Sequence, residues 1–236
     1  MEKITVEGYE FIRIDLPGAE AIFSTAKNNL SFNKCTDSGK KNIENLKKWF
    51  NLKAVGYLNQ VHGCESIVYR GKDEENADGI ITNESNTAVG VFNADCIPIL
   101  LYDKKTKIIA AVHSGWKGTL DCILSKTIEK LERDFKSKSK DIIVCVGPHI
   151  HSCCYEVGEE VKDKFKNSDF YRFKDIFRGR NLDLKKCMLY QLQDRDIESE
   201  NIKYLDICTY CNTEYAMHSY RKNKDYGRMF SFIYLK

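Results

Sequence analysis

Apolar residues alternate with polar ones, or β-branched residues run together, in a series of short segments that read as strands. They are Tyr9 to Ile14, Ala21 to Ser24, Ala54 to Leu58, Ser66 to Tyr69, Gly79 to Thr82, Ala88 to Phe92, Ile97 to Tyr102, Ile108 to His113, Ile142 to Val146 and Met229 to Leu235. Helical periodicity marks Lys40 to Phe50, Leu120 to Phe135, Val157 to Phe165 and Leu184 to Gln193, with a weaker pattern at Cys211 to His218. Strands outnumber helices and the helices are scattered, which predicts an α+β sandwich with mixed sheets rather than a regularly alternating parallel fold. Three prolines, no Gly/Ser-rich linker and no repeat give no sign of a boundary, so one domain is expected over 1–236. The most polar stretch, Gly71 to Asp78, reads as a surface loop.

Composition narrows the classes. At 42% hydrophobic and 30% charged residues the chain is an ordinary globular sequence. The net charge of +3 is spread along the chain, and even the richest basic run, Lys130 to Lys140, is interrupted by Glu132 and Asp134. A nucleic-acid partner is therefore not expected, because a phosphate-tracking surface concentrates its charge. The start MEKITVEGYE lacks the features of a secretory signal, and no apolar run approaches membrane-spanning length. A cytoplasmic protein without a membrane partner is expected, whose ten cysteines stay reduced, most of them as small core residues.

Three segments carry metal-ligand types next to strand ends: Asn59-Gln60-Val61-His62-Gly63, Asn93-Ala94-Asp95-Cys96-Ile97-Pro98 and Ala111-Val112-His113-Ser114-Gly115-Trp116-Lys117-Gly118. Ends of strands in one sheet converge, so residues distant in sequence can meet at one rim. Two imidazoles and one thiolate suit zinc, and three protein ligands leave a coordination position open. Taken singly, each also has a structural reading: a hydrogen-bonded histidine, an inert buried thiol.

The segments NQVHG, Ala77-Asp78-Gly79, NADCIPILLYD, AAVHSGWKGT, VGPHIHSCCYEVGEEV, NLDLKK and HSYRKNKDYGR, in that order, resemble those of the polyphenol oxidase or laccase-like family, which includes purine nucleoside phosphorylases. The resemblance implies a layered α/β/β/α sandwich and zinc held by His62, Cys96 and His113. It implies phosphorolysis of adenosine, inosine and methylthioadenosine, with an adenosine deaminase activity. The family's name implies copper and phenol oxidation, and some members are linked to peptidoglycan editing. Where a GGVS-like segment is usual, this chain has Phe23-Ser24-Thr25-Ala26-Lys27-Asn28, which puts any substrate contact made there in doubt.

Each activity makes its own demands. Zinc acidifies a bound water, which suits attack on C6 of adenine, but deaminases also need a carboxylate outside the metal shell. Asp95 is the nearest candidate, or else a residue buried against backbone amides. Phosphorolysis needs a phosphate site: Arg221 and Arg228, flanking Lys222 to Gly227, can clamp phosphate bidentately, and Ser114 precedes helix amides that can bind an anion. Gln60 and Lys117 complete the expected substrate and phosphate contacts. The partners are then a purine nucleoside and phosphate, and the chain a monomer or homodimer.

Rival readings remain. Five histidines are too few for a full multicopper oxidase, although two His and one Cys also form a mononuclear blue-copper set. Cys96 can instead be the nucleophile of a cell-wall peptide amidase. A fourth ligand, Cys64 or Cys154, would close the shell into a structural site. Cys208 and Cys211 form a C-x-x-C without a second pair at zinc-ribbon spacing, which favours core packing, whereas Cys153-Cys154 beside His149 and His151 suggest a second metal site or, with Tyr155, a pocket wall.

Overall fold

The computed structural model describes residues 1–71, 75–224 and 227–236. Parts of the expected 71–78 loop and of the 222–227 turn therefore lie outside the described residues. The chain runs β1 (Glu2–Val6), β2 (Tyr9–Leu16), β3 (Ala19–Ser24), α1 (Asp37–Trp49), β4 (Ala54–Gly56), β5 (Ser66–Val68), β6 (Gly79–Thr82), β7 (Thr87–Asn93), β8 (Ile97–Asp103) and β9 (Ile108–Ser114). It continues through α2 (Trp116–Leu120), α3 (Ile123–Phe135), β10 (Ile142–Val146), α4 (Glu159–Lys166), the hairpin β11 (Phe177–Arg178) and β12 (Asn181–Leu182), α5 (Leu184–Asp194), β13 (Ile202–Tyr204), α6 (Tyr220–Asn223) and β14 (Met229–Leu235).

Two six-stranded mixed sheets result, ordered β1-β2-β3-β14-β7-β4 and β13-β10-β8-β9-β6-β5. Alternation along the strands divides the apolar residues into three layers. Between the sheets, Ile12, Ile14, Phe23, Val89, Val91 and Ile233 meet Leu100, Tyr102, Ile109, Ala111 and Cys145. The opposite faces of the same strands are apolar too: Ile99, Leu101, Ala110 and Val112 pack under α3, α4 and α5, and Phe230 and Phe232 pack with Ile43 and Leu46 of α1. Strands covered on both faces read as unbroken apolar runs. The expected α/β/β/α sandwich with mixed sheets is the fold observed.

Local chemistry sets the element ends. Thr36 caps α1 by accepting from Gly39 N–H at 3.1 Å, with Asp37 in its first turn and Lys47 and Lys48 in its last. Asp183 caps α5 in the same way at 2.9 Å from Lys186 N–H.

Three expectations are corrected. The helix expected over Leu120 to Phe135 is two helices, because Cys122 adopts a left-handed φ of 57° between them. Cys211 to His218 is not helical: the Asn212 side-chain oxygen Oδ1 accepts from the N–H groups of Glu214 and Tyr215 at 2.8 and 3.0 Å, a turn that takes the donors a helix would use. Four strands were not foreseen, among them the two-residue strands of the β11–β12 hairpin. β1 is a half-exposed polar edge strand and β13 spans only Ile202–Tyr204, so neither has an apolar face to announce it.

Leu100 is fully buried between the sheets. Leu100→Ala is expected to lower unfolding free energy by about 2–5 kcal/mol. Leu189→Ala, on a side chain that is 38% exposed, should change it by about 0.5 kcal/mol or less. Urea unfolding midpoints compare the two.

Candidate metal centre

β8 and β9 pair with Pro98 opposite His113, so Cys96, one step before β8, reaches the rim where β9 ends. β9 also pairs with β6, and His113 N–H donates to the Asp78 carbonyl at 2.8 Å. The third segment, 59–63, is a loop held over that rim. Both ends of the Gln60 side-chain amide bond to the backbone of Phe92: Nε2 donates to its carbonyl at 2.8 Å and Oε1 accepts its N–H at 2.7 Å. The loop is thereby tied to β7 of the other sheet.

One carboxylate organises the rest. Asp78 is fully buried and accepts from the backbone N–H groups of Val61, His62 and Gly63 at 3.2, 3.1 and 2.7 Å. These bonds hold His62 in a left-handed turn with φ of 58°. Asp78 Oδ1 also lies 2.7 Å from His113 Nδ1. A carboxylate only accepts, so Nδ1 carries a proton and Nε2 is the atom left to face the centre of the cluster. The motif contained Asp78, but nothing in the sequence signals this role.

The ligand atoms of His62, Cys96 and His113 all lie within 4.8 Å of one another. Gly115 makes that closeness possible: a Cβ there would sit 3.0 Å from Cys96 Sγ and 3.1 Å from His62 Cδ2. Burial by itself would raise the Cys96 thiol, but the two imidazoles outweigh it and bring the group down to about 6. Burial would likewise lower His113, and the Cys96 thiolate and Asp78 outweigh it in the upward direction. A thiolate beside neutral-capable imidazoles is a set in which a divalent cation can replace the shared proton, and its two nitrogens and one sulfur match zinc. The three residues thus form a candidate metal-binding group. Cys64 does not join it, since its sulfur faces Lys126 Nζ at 3.1 Å, and Cys154 lies in a different cluster.

The group opens on a cavity of about 670 Å³, within the usual size range of small-molecule sites. Its lining includes Gln60, Asp95, Arg221 and Arg228 of the expected residues, together with Lys34, Phe92, Trp116, Tyr155 and Tyr220. Ser114 and Lys117 are not among the lining residues. Ser114 Oγ pairs with Thr119 Oγ1 at 2.8 Å, and the Lys117 ammonium lies 5.7 Å from the Trp116 ring centre. Gln60 is committed to Phe92 as described.

Asp95, in a left-handed conformation with φ of 93°, accepts the Thr209 hydroxyl at 2.6 Å on one oxygen and Arg221 N–H at 2.7 Å on the other. Its carboxylate joins two loops rather than standing open. Arg221 Nη1 donates to the Glu156 carbonyl at 2.6 Å and its guanidinium lies 5.2 Å from the Tyr155 ring centre. Arg228 Nη1 donates to the Gly227 carbonyl at 2.8 Å. Lys34, which the sequence reading missed, enters from the segment after Phe23 to Asn28 and donates to Asn59 Oδ1 at 3.3 Å.

The other histidines are engaged elsewhere. His218 Nε2 bonds the Leu30 carbonyl at 2.8 Å, and His149 and His151 each face the Tyr204 hydroxyl at 3.3 Å. Burial, then the neighbouring His151, pushes His149 down to about 3.

Fold and donor set together define a two-sheet sandwich that presents a His-Cys-His group at the edge of a cavity lined by cations and aromatic rings. More particularly, the chain belongs to the family described as multi-copper polyphenol oxidoreductase laccase, whose model matches residues 20–236. It is 48% identical to a purine nucleoside phosphorylase of Clostridium acetobutylicum over 98% of both chains. It is 31% identical to a purine nucleoside phosphorylase, YfiH, of Shigella flexneri, covering 85% of this chain and 84% of that one. The crystal structure of the Bacillus licheniformis hypothetical protein YfiH superposes with a TM-score of 0.84 at 25% identity, covering 96% of this chain and 99% of that chain. Among the described residues no helix is long and apolar enough to cross a membrane.

Asp78→Asn keeps the shape of the acceptor and removes its charge. The variant is expected to bind metal about 10- to 100-fold more weakly in a chelator competition, and an affinity equal to wild type would remove Asp78 from this role. His149 gives a signed pH dependence. Its folded pKa of about 3 lies below the ordinary 6.5, so the unfolded chain takes up a proton that the folded site refuses. Its contribution to stability is complete above pH 6.5 and is lost as pH falls toward 3, with a slope of about 1.4 kcal/mol per pH unit. Denaturant titrations across that range should show a shallower slope for His149→Gln.

Proposed function

We propose that the chain is a zinc-dependent purine nucleoside phosphorylase that cleaves adenosine, inosine or methylthioadenosine with phosphate, releasing the base and ribose 1-phosphate, or 5-methylthioribose 1-phosphate from methylthioadenosine. The observation that carries this reading is the cavity wall: Lys34, Arg221 and Arg228 gather positive charge beside Phe92, Trp116, Tyr155 and Tyr220. Cations suit a phosphate dianion, arginine above all because its planar fork can bond two oxygens, and aromatic faces suit a purine. The relatives' names point the same way.

In phosphorolysis a phosphate oxygen bonds to C1′ of the ribose as the C1′–N9 bond breaks, and the purine leaves with that electron pair and takes up a proton. Arg221 and Arg228 would hold the phosphate against the sugar, and the aromatic side chains would orient the base and exclude water. His62, Cys96 and His113 would hold the zinc, with Asp78 fixing the His113 tautomer. Bound there, zinc supplies a Lewis acid that stabilises negative charge developing in the transition state. Asp95 positions Arg221 by accepting its backbone N–H.

Adenosine deamination has weaker support. Asp95 is the one carboxylate among the described lining residues, and both its oxygens are already bonded, whereas zinc deaminases need a proton-transferring carboxylate.

Purified, metal-quantified protein incubated with inosine or adenosine is expected to yield hypoxanthine or adenine plus ribose 1-phosphate by mass only when phosphate is present. Cleavage without phosphate, or inosine as the sole product from adenosine, would overturn the proposal. His113→Ala should lose metal and cleavage together, by about 100-fold or more, while its circular dichroism stays that of a folded chain. Arg221→Gln should raise KM for phosphate about 10- to 100-fold, the worth of one charged hydrogen bond. A strongly coloured copper(II)–thiolate spectrum with copper in metal analysis would favour the oxidase chemistry instead. Turnover abolished by thiol alkylation yet unaffected by chelation would favour Cys96 as a nucleophile.

A further inference from the structure

A second cluster lies outside the cavity. Cys153, Cys154, Cys208 and Cys211 bring their four sulfurs within 4.8 Å of one another. The Cys153 sulfur is 3.9 Å from that of Cys208 and 3.7 Å from that of Cys211. We propose that these four cysteines form a closed site for a single structural zinc ion, distinct from the His-Cys-His group.

The distances choose between thiol chemistries. A disulfide requires about 2.05 Å between sulfurs. A tetrahedron with Zn–S bonds of about 2.3 Å has edges of about 3.8 Å, close to the separations of Cys153 from Cys208 and Cys211. A polynuclear iron–sulfur cluster places several atoms between its thiolates and needs them farther apart. His149 and His151 lie close in sequence but turn their Nε2 atoms to the Tyr204 hydroxyl, so the donor set is all sulfur.

Local backbone prepares the site. The N–H groups of Cys154 and Tyr155 both donate to the His151 carbonyl, at 2.9 and 3.0 Å, in a tight turn that brings adjacent cysteines to one side. The opposing C-x-x-C lies in a second turn, joined to the first segment by a bridge between His149 and Cys208. Cys208 is buried, and its sulfur accepts the His151 N–H at 3.5 Å. An amide directed at a buried sulfur is suited to a thiolate ligand.

Four protein ligands leave no open position, so this ion would be structural. What it would fix is plain from its neighbours. Residues 205–219 contain no helix or strand of their own, yet carry Thr209, whose hydroxyl holds Asp95. The other segment carries Tyr155 into the cavity wall. A crosslink here ties two irregular segments together and offsets their chain entropy. The proposal does not depend on which reaction the cavity performs.

Untagged protein purified under reducing conditions and loaded with zinc is expected to carry two zinc ions per chain by native mass spectrometry. His113→Ala should carry one, and so should Cys153→Ser/Cys211→Ser, which should also melt at a lower temperature. A folding defect in the double variant is bypassed by alkylating the wild-type chain. Peptide mapping should show all four cysteines protected until a chelator is added and labelled afterwards. One zinc per wild-type chain that Cys153→Ser/Cys211→Ser retains, equal labelling with and without chelator, a Cys153–Cys211 disulfide in the reduced protein, or a red iron–thiolate spectrum with iron replacing zinc would each overturn it.

Discussion

The buried negative charge of Asp78 is the constraint on which the His-Cys-His group depends. A carboxylate taken from water is costly unless its lone pairs are filled, and here three backbone amides and one imidazole fill them. That need dictates geometry. Three successive N–H groups can point at one carboxylate only if the chain curls, which is why His62 adopts a left-handed φ. The cost of that conformation, about 1–3 kcal/mol, is offset by the same bonds. The imidazole of His113 is fixed from the opposite side, so both histidines of the group take their positions from one residue outside it.

The sheets supply the rest of the precision. Because β8 and β9 pair along their whole length with Pro98 opposite His113, a slip of one residue would turn His113 away from the rim and exchange the side chains packed between the sheets with those packed under the helices. Burial of Leu100, Tyr102, Ile109 and Ala111 between the sheets therefore sets the register that sets the site. Gln60, bonded to Phe92 across the gap between the sheets, makes the loop carrying His62 answer to both. Stability and site geometry are here the same set of contacts.

This accounts for what could be read from the chain alone. Segments such as Ile97 to Tyr102 and Ile108 to His113 announced themselves because both their faces are covered. The polar edge strand Glu2–Val6 did not, because pairing with β2 rather than an apolar face holds it. The false helix at Cys211 to His218 arose from composition without regard to Asn212, whose side chain closes a turn. His62, Cys96 and His113 were named from motifs, and the register brings them together. Gln60 carried no mark separating a substrate contact from a backbone clamp, and Ser114 none separating an anion site from a partner of Thr119. Such distinctions depend on what lies opposite, which spacing along a chain does not record. The convergence of Cys153-Cys154 with Cys208 and Cys211 was hidden for the same reason: Cys208 and Cys211 form a C-x-x-C, but the pair that meets it is two adjacent cysteines and not a second C-x-x-C.

The family's descriptive name invites a copper oxidase, and the arrangement of imidazoles argues otherwise. A multicopper centre needs many histidines at close quarters. This chain has five, and two of them serve the His-Cys-His group. His149 and His151 turn to Tyr204, and His218 turns to the Leu30 carbonyl. No rearrangement of side chains alone gathers them, because His149 is buried with Nδ1 held by the Gly147 carbonyl at 2.9 Å. A single site of borderline softness remains, with Asp78 behind one ligand and a cationic cavity in front. Electron transfer from a phenol asks nothing of Lys34, Arg221 or Arg228, whereas handling a phosphate dianion asks for just such a set of charges.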